Sequence, residues 1–86
     1  MNKLINIGFG NLINTDRILV VVQPDAAPVK RMIQRGKEDQ TLIDATQGRR
    51  TKSVIVTTEG RLVLSALTTD TILNRYNEDK NRGGKI

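Results

Sequence analysis

The stretch "RILVVVQ", residues 17–23, restricts the possible folds of this chain more than any other segment. The five residues between Arg17 and Gln23 are all apolar and four of them are β-branched, which is typical of a β-strand. Alternation along a strand predicts two faces, with Ile18, Val20 and Val22 on one side and Leu19 and Val21 on the other. Both apolar faces of such a strand must be buried against other parts of the protein or against another chain. In a small chain this favours a helix on one face and a second copy of the protein on the other.

The small size of the chain also favours association with a second copy. Its 86 residues suffice for one domain with a marginal core. Phe9 and Tyr76 are its only aromatic residues, and it contains no Trp and no Cys, so the core is aliphatic and no disulfide reinforces it. We expect a single domain at residues 1–77, followed by a polar, disordered tail at residues 78–86.

The other strand signals are short. Residues 4–7 and 42–45 are predicted as brief strands, and "KSVIVTTEGRLVLSAL" as a β-hairpin with its turn at Glu59 and Gly60. The glycines of "INIGFGN" suggest a dinucleotide-binding loop, but Ile13 stands where that fingerprint requires a third glycine. A tight turn between two strands is the better interpretation.

Two helices complete the predicted fold. "PDAAPVKRMIQRGKED" favours a helix with Asp25 as N-cap and Gly36 loosening or ending it. Its apolar stripe is predicted to be Val29, Met32 and Ile33. "LTTDTILNRYN" predicts a second helix capped by Thr68 or Thr69, with a buried stripe of Ile72, Leu73 and Tyr76. The predicted fold class is α/β in the sense of α+β: a small antiparallel-rich sheet with two helices.

Several functions are disfavoured. His and Cys are absent, which removes the common zinc ligands and nucleophile pairs. The carboxylates are scattered and form no acid/base pair or metal-ligand spacing. We therefore predict no enzyme, no cofactor and no small-molecule substrate. The first residues resemble neither a signal peptide nor a membrane span, so a cytoplasmic location without membrane binding is expected.

The charge balance favours an anionic partner. Fourteen basic and nine acidic residues give a formal charge of +5. The most informative basic residues are Arg49 and Arg50, which follow Gly48 ahead of a predicted strand and are joined by Lys52. Arginine pairs bidentately with phosphate or with the guanine edge. The nearby hydroxyls that could also bond phosphate are those of Thr46, Thr51 and Ser53. The alternative is a solvated turn with surplus charge.

Two other basic features have plain alternatives. Arg17 at the start of the apolar strand could be a solvated charge paired with Asp16. The cations of the first helix are either a solvated face or a secondary phosphate contact; they are Lys30, Arg31, Arg35 and Lys37.

Three segments, "INIGFGN" at 5–11, "APVKRMI" at 27–33 and especially "LIDATQGRRT" at 42–51, resemble the extracellular matrix regulatory protein A (RemA) family of small bacterial proteins. The resemblance spans about residues 4–75. It implies a DNA-binding transcriptional activator of biofilm matrix genes, without catalytic activity. It also implies protomers in closed rings that can stack, with a LytTR-like DNA-binding part. The DNA-contacting arginines of the family match Arg17, Arg49 and Arg50. The helix and tail after Thr68 match no motif of the family.

The resemblance agrees with the residues. Arginines repeated around a ring act together on one duplex, and they could hold bent DNA through phosphate and minor-groove contacts. Two alternatives stay open. Sequence-specific RNA binding usually needs aromatic stacking platforms, which are scarce here, and a structural ring or adaptor for protein partners would not need the arginines.

Overall fold

The structure is a computed structural model that describes residues 3–84, including the side chains of residues 3–78. It contains six strands and two α-helices. In chain order these are β1 (Leu4–Asn6), β2 (Leu12–Asn14), β3 (Ile18–Val22), α1 (Ala27–Asp39), β4 (Leu42–Asp44), β5 (Ser53–Thr57), β6 (Leu62–Ser65) and α2 (Thr69–Gly84). A 3-10 turn at Thr15–Arg17 joins β2 to β3. The predicted α+β class with two helices and mainly antiparallel strands is confirmed.

Four strands form the main sheet in the order β3-β5-β6-β4. The β3–β5 and β5–β6 pairs are antiparallel, while β4 runs parallel to β6. The predicted hairpin is confirmed as β5 and β6, and its turn contains Gly60 at φ +83°. The turn closes because Thr57 N–H donates to the Arg61 carbonyl at 2.9 Å and Gly60 N–H donates to the Thr57 carbonyl at 3.0 Å.

The first two strands form a separate antiparallel hairpin. The glycines of "IGFGN" make its turn, with Gly8 at φ +116° and Gly10 at φ +78°. Glycine has no Cβ and adopts these angles without the steric cost that other residues meet. The predicted strand-to-strand turn is therefore confirmed in place of a dinucleotide loop.

The sheet separates two apolar clusters. The β1–β2 hairpin and α2 cover one face, where the buried residues are Ile5, Ile7, Ala45, Ile55, Val63 and Ile72. Helix α1 covers the other face, where they are Val29, Val54, Leu62 and Leu64. Strands β5 and β6 are consequently buried on both faces.

Strand β3 lies at an edge of the sheet, and its side chains do not follow the predicted alternation. The β3–β5 register shifts between Ile18 and Val20, which is the geometry of a β-bulge. Because of this shift Ile18 packs against the same cluster as Val21, and not on the face of Val20 and Val22. Leu19 and Val20 are 68% and 43% exposed.

Helix α1 corrects two predictions. Its N-cap is Ala26, with no side-chain cap, so Asp25 does not cap it. Gly36 neither loosens nor ends the helix, which continues to Asp39 and stops where Gln40 adopts a left-handed conformation. Gly36 is buried because the helix approaches β4 and β6 closely there: a Cβ atom at Gly36 would lie 3.4 Å from Leu62.

The apolar stripes of both helices are narrower than predicted. On α1, Val29 and Ile33 pack against the sheet while Met32 is exposed. Among the described side chains of α2, residues 69–78, only Ile72 is buried, and Leu73 and Tyr76 are exposed beside a groove between α2 and β3.

The cap prediction for α2 is confirmed, because the hydroxyl of Thr68 accepts a hydrogen bond from Thr71 N–H at 3.2 Å. The predicted tail, residues 78–86, falls almost entirely outside the residues whose side chains are described, so the boundary at residue 77 stays a prediction. Neither helix in the described part of the chain is long and apolar enough to span a bilayer.

Candidate nucleic-acid interface

The loop between β4 and β5 carries the predicted arginine pair, and a small hydrogen-bonded turn sets its shape. The Asp44 carboxylate accepts hydrogen bonds from Thr46 N–H at 2.9 Å and from the Thr46 hydroxyl at 2.6 Å. The chain then reverses through left-handed Gln47 and Gly48, and Arg49 N–H donates to the Thr46 carbonyl at 2.9 Å. Both arginines are exposed as a result.

The same hydrogen bonds act on the acid. The side-chain and backbone hydrogen bonds from Thr46 lower the pKa of Asp44, Lys37 lowers it further, and desolvation opposes them. A carboxylate that accepts such bonds is stabilised in its charged form. Asp44 is thus an anion that organises the loop.

Arg49, Arg50 and Lys52 line one cleft of about 560 Å³ between this loop, the β1–β2 turn and α2. The structure therefore brings together three of the four predicted contact residues. Lys52 is fixed at the edge of the cleft because its N–H donates to the Ser65 carbonyl at 2.9 Å. The cleft has no acidic side chain among its described lining residues.

The cleft also contains two residues that were not predicted as contacts. Arg75, on α2, adds a fourth cation and donates from Nη1 to the Asn6 carbonyl at 2.9 Å. Phe9 lines the same cleft from the tip of the β1–β2 turn. The only sequence signal for Arg75 is its spacing of three residues from buried Ile72, which places it beside the buried stripe.

Arg17 lies elsewhere. Its carbonyl accepts a hydrogen bond from Thr58 N–H, and the next residue pairs with Thr57 at the end of β5. The Arg49–Lys52 loop precedes the opposite end of β5, about 13 Å away for a strand of this length. Arg17 contacts Glu59 at 3.5 Å, and not Asp16, in an ion pair that is more than half exposed. Such a pair leaves Arg17 accessible.

The predicted hydroxyl contacts are partly wrong. The Thr46 side chain is 2% exposed and donates to Asp44, and Ser53 is completely buried. Neither hydroxyl is available to a phosphate. Thr51 is half-buried and lines a neighbouring cleft.

The cations of α1 are exposed and do not line the cleft. No group of three or more metal-ligating acidic, His or Cys residues occurs among the side chains of residues 3–78.

Comparison with known proteins identifies relatives over most of the chain. A family model described as "Extracellular matrix regulatory protein A-like" matches residues 4–76. A protein of Lachnoclostridium phytofermentans is 55% identical over 78 residues, which cover 91% of this chain and 86% of that protein. A Thermoanaerobacter protein is 51% identical, with 91% and 81% covered, and an Acaryochloris marina protein is 49% identical, with 91% and 89% covered. All three are provisionally named as regulatory proteins.

Proposed function

This chain belongs to the extracellular matrix regulatory protein A-like family, and we propose that it regulates transcription by binding double-stranded DNA through Arg49, Arg50 and Lys52, with Arg17 as a separate contact. The homo-oligomeric ring, with its LytTR-like DNA-binding part, is included in the proposal. The proposal also includes a role as an activator of biofilm matrix genes, which is supported by the description of the family.

The convergence of cations on one cleft carries this proposal. Three predicted contact residues and Arg75 line the same cleft, and the described residues that line it include no acidic side chain. Phosphate contacts by arginine and lysine supply most of the sequence-independent affinity for DNA. The Asp44–Thr46 turn fixes the loop before any ligand arrives, so less ordering is needed on binding.

Repetition makes a small cleft sufficient. One protomer offers only a few phosphate contacts, whereas several copies on one duplex act through effective concentration. The exposed apolar edge of β3 is a suitable surface for self-association. Within one protomer Arg17 and the loop that carries Arg49 and Arg50 lie beyond opposite ends of β5, which is itself about 13 Å long. Arg17 therefore contacts a different phosphate from those held in the cleft.

The test is a fluorescence anisotropy titration on a long AT-rich duplex at two salt concentrations. The comparison is between the wild type, Arg49→Ala/Arg50→Ala and the control Arg31→Ala/Arg35→Ala. Both double variants lower the net charge equally, but the control residues lie on the exposed surface of α1. We expect the loop variant to bind roughly a hundredfold more weakly with a reduced salt dependence. The control should stay close to the wild type.

Equal weakening by both double variants would mean that only overall charge matters, and the proposed site would be wrong. A duplex of roughly one helical turn should bind much more weakly than the long duplex if several protomers act together. Competition between duplex DNA and single-stranded RNA of equal length distinguishes DNA binding from the RNA-binding alternative. If the loop variant no longer bound DNA but regulated its genes normally, the adaptor alternative would replace this proposal.

A further inference from the structure

The β1–β2 turn displays the only phenylalanine of the chain. Phe9 is 51% exposed, although a chain with two aromatic residues and a marginal core gains from burying both. Its backbone is left-handed at φ +53°, between two glycines that also have positive φ. This conformation is unfavourable for an L-residue with a bulky side chain. The fold thus keeps Phe9 exposed at a cost in free energy of folding.

Hydrogen bonds hold the turn from both sides. Ile7 N–H donates to the Asn11 carbonyl at 2.8 Å, and Gly8 N–H donates to the Asn6 side chain at 2.7 Å. The Asn11 amide donates to the Gly8 carbonyl at 2.9 Å and to the Ala45 carbonyl at 3.4 Å. The bond to the Ala45 carbonyl links the turn to the residue after β4, at the start of the loop that carries Arg49 and Arg50.

Arg75 ties the third element to the same turn. It donates to the Asn6 carbonyl at 2.9 Å, so that α2 and the β1–β2 turn meet through its guanidinium. The backbone that carries Phe9 is consequently held in place, and Phe9 lines the cleft together with the four cations. An exposed aromatic ring beside cations matches a ligand in which phosphates flank a flat apolar surface. A DNA base step seen from a groove is such a ligand, because its stacked bases lie between the two phosphate backbones.

Proceeding from the proposed function, we propose that Phe9 is a wedge that inserts at a base step of bound duplex DNA, and that Arg75 binds an adjacent phosphate. Apolar side chains inserted from the minor groove partly unstack a step and kink the duplex, while neighbouring cations hold the backbone. Unstacking is easiest at pyrimidine–purine steps such as TA. Phe9 therefore selects flexible steps, and the arginines and Lys52 supply affinity for any sequence.

The experiment uses duplexes that carry 2-aminopurine, whose fluorescence rises on unstacking, at one TA step or at one rigid A-tract step. The ring is removed by Phe9→Asn, because Asn tolerates the left-handed conformation and the turn stays intact. Phe9→Leu keeps an apolar wedge. Met32→Ala is the control, since it removes another exposed apolar side chain, which lies on α1 and outside this cleft.

We expect the wild type, Phe9→Leu and Met32→Ala to raise fluorescence at the TA step, and Phe9→Asn to abolish the increase. Phe9→Asn should also lose roughly tenfold in affinity at the TA duplex, while its salt dependence stays unchanged. Arg75→Gln keeps a donor for the Asn6 carbonyl but removes the charge, so it should lower the salt dependence and leave the fluorescence increase in place.

The outcomes separate this inference from the proposed function. If the wild type bound duplex DNA and Phe9→Asn gave the same fluorescence increase, the wedge would be refuted while DNA binding stood. A changed sedimentation coefficient for Phe9→Asn without DNA would show that Phe9 is a subunit contact, which also refutes it. Absence of duplex binding by the wild type would refute the proposed function itself.

Discussion

Asp44 shows how one side chain shapes the proposed contact surface. Its carboxylate holds Thr46 by two hydrogen bonds, and Thr46 in turn holds the backbone of Arg49. These bonds are stronger to the charged form of the acid, which they therefore favour. The conformation of the arginine loop is therefore linked to the protonation of Asp44.

The lowered pKa of Asp44 predicts a pH-dependent stability. The folded protein binds this proton less tightly than the unfolded chain, in which the pKa of Asp is about 3.9. The stabilisation is thus complete above the unfolded pKa and is lost as the pH falls through the folded one. We expect the free energy of unfolding of the wild type to decrease more steeply between about pH 5 and pH 2 than that of Asp44→Ala. Urea unfolding at a series of pH values measures this difference.

Asp39→Ala is the matched control, because it removes an exposed carboxylate at the end of α1 that accepts no hydrogen bond from the described side chains. The steep acid limb that depends on Asp44 should persist in this variant. If Asp44→Ala also paralleled the wild type, the Thr46 hydrogen bonds would contribute nothing to stability and the loop would owe its shape to Gly48.

At the residue scale, the sequence predicted the cations of the loop but not their surroundings. Arg49 and Arg50 follow a glycine, and this local signal sufficed to place them on an exposed turn. Thr46 and Ser53 were misassigned because their burial depends on β6 and the β1–β2 hairpin, which are distant in sequence. Arg75 was missed for the same reason, since its partner, the Asn6 carbonyl, is 69 residues earlier.

The hairpins are the elements that sequence predicts best, because their turns are set by adjacent residues such as Gly60. Helix α1 is different. Glycine is a poor helix former, and the prediction that Gly36 would end the helix followed from this. Packing against Leu42 and Leu62 determines the outcome instead. The bulge at β3 likewise results from pairing with β5, which strict alternation of apolar residues does not encode.

Two glycine substitutions are expected to have opposite effects on stability. Gly36→Ala places a methyl group at 3.4 to 3.5 Å from Leu42 and Leu62, an ordinary contact distance, within a helix. It should stabilise the protein by about 0.5 to 1 kcal/mol through helix propensity. Gly48→Ala has space for its Cβ but must keep φ at +78°, so it should destabilise by about 1 kcal/mol or more.

Urea unfolding at one fixed protein concentration compares the two variants, since association would otherwise contribute to the difference. Destabilisation by Gly36→Ala would show that the close approach of α1 to Leu42 and Leu62 leaves too little room for the new methyl group. A neutral Gly48→Ala would show that the loop adopts another turn.

For the whole molecule, the remaining question is what covers its exposed apolar surface. Leu19 and Val20 are exposed on edge strand β3, and Leu73 and Tyr76 are exposed beside the adjoining groove of about 460 Å³. The sequence indicated that residues 18–22 needed cover on both faces. In the single chain, strands β5 and β6 have that cover and β3 does not. Exposed apolar side chains on an edge strand and beside an apolar groove are typical of a surface that another chain covers.

We therefore predict that charge on the β3 edge separates the protomers. Leu19→Lys puts a desolvated ammonium into any interface formed there, and lysine on an edge strand opposes pairing with another chain. Sedimentation velocity should show an oligomer for the wild type and a 9.6 kDa protomer for Leu19→Lys. The control is Met32→Lys, the same change at an exposed apolar residue of α1.

Because repetition supplies the avidity, Leu19→Lys should also weaken binding to a long duplex on the order of a hundredfold, and leave binding to a single-turn duplex unchanged. An oligomer that persists in Leu19→Lys, or a wild type that sediments as a protomer, would contradict an interface at β3 and leave each cleft to act on DNA alone.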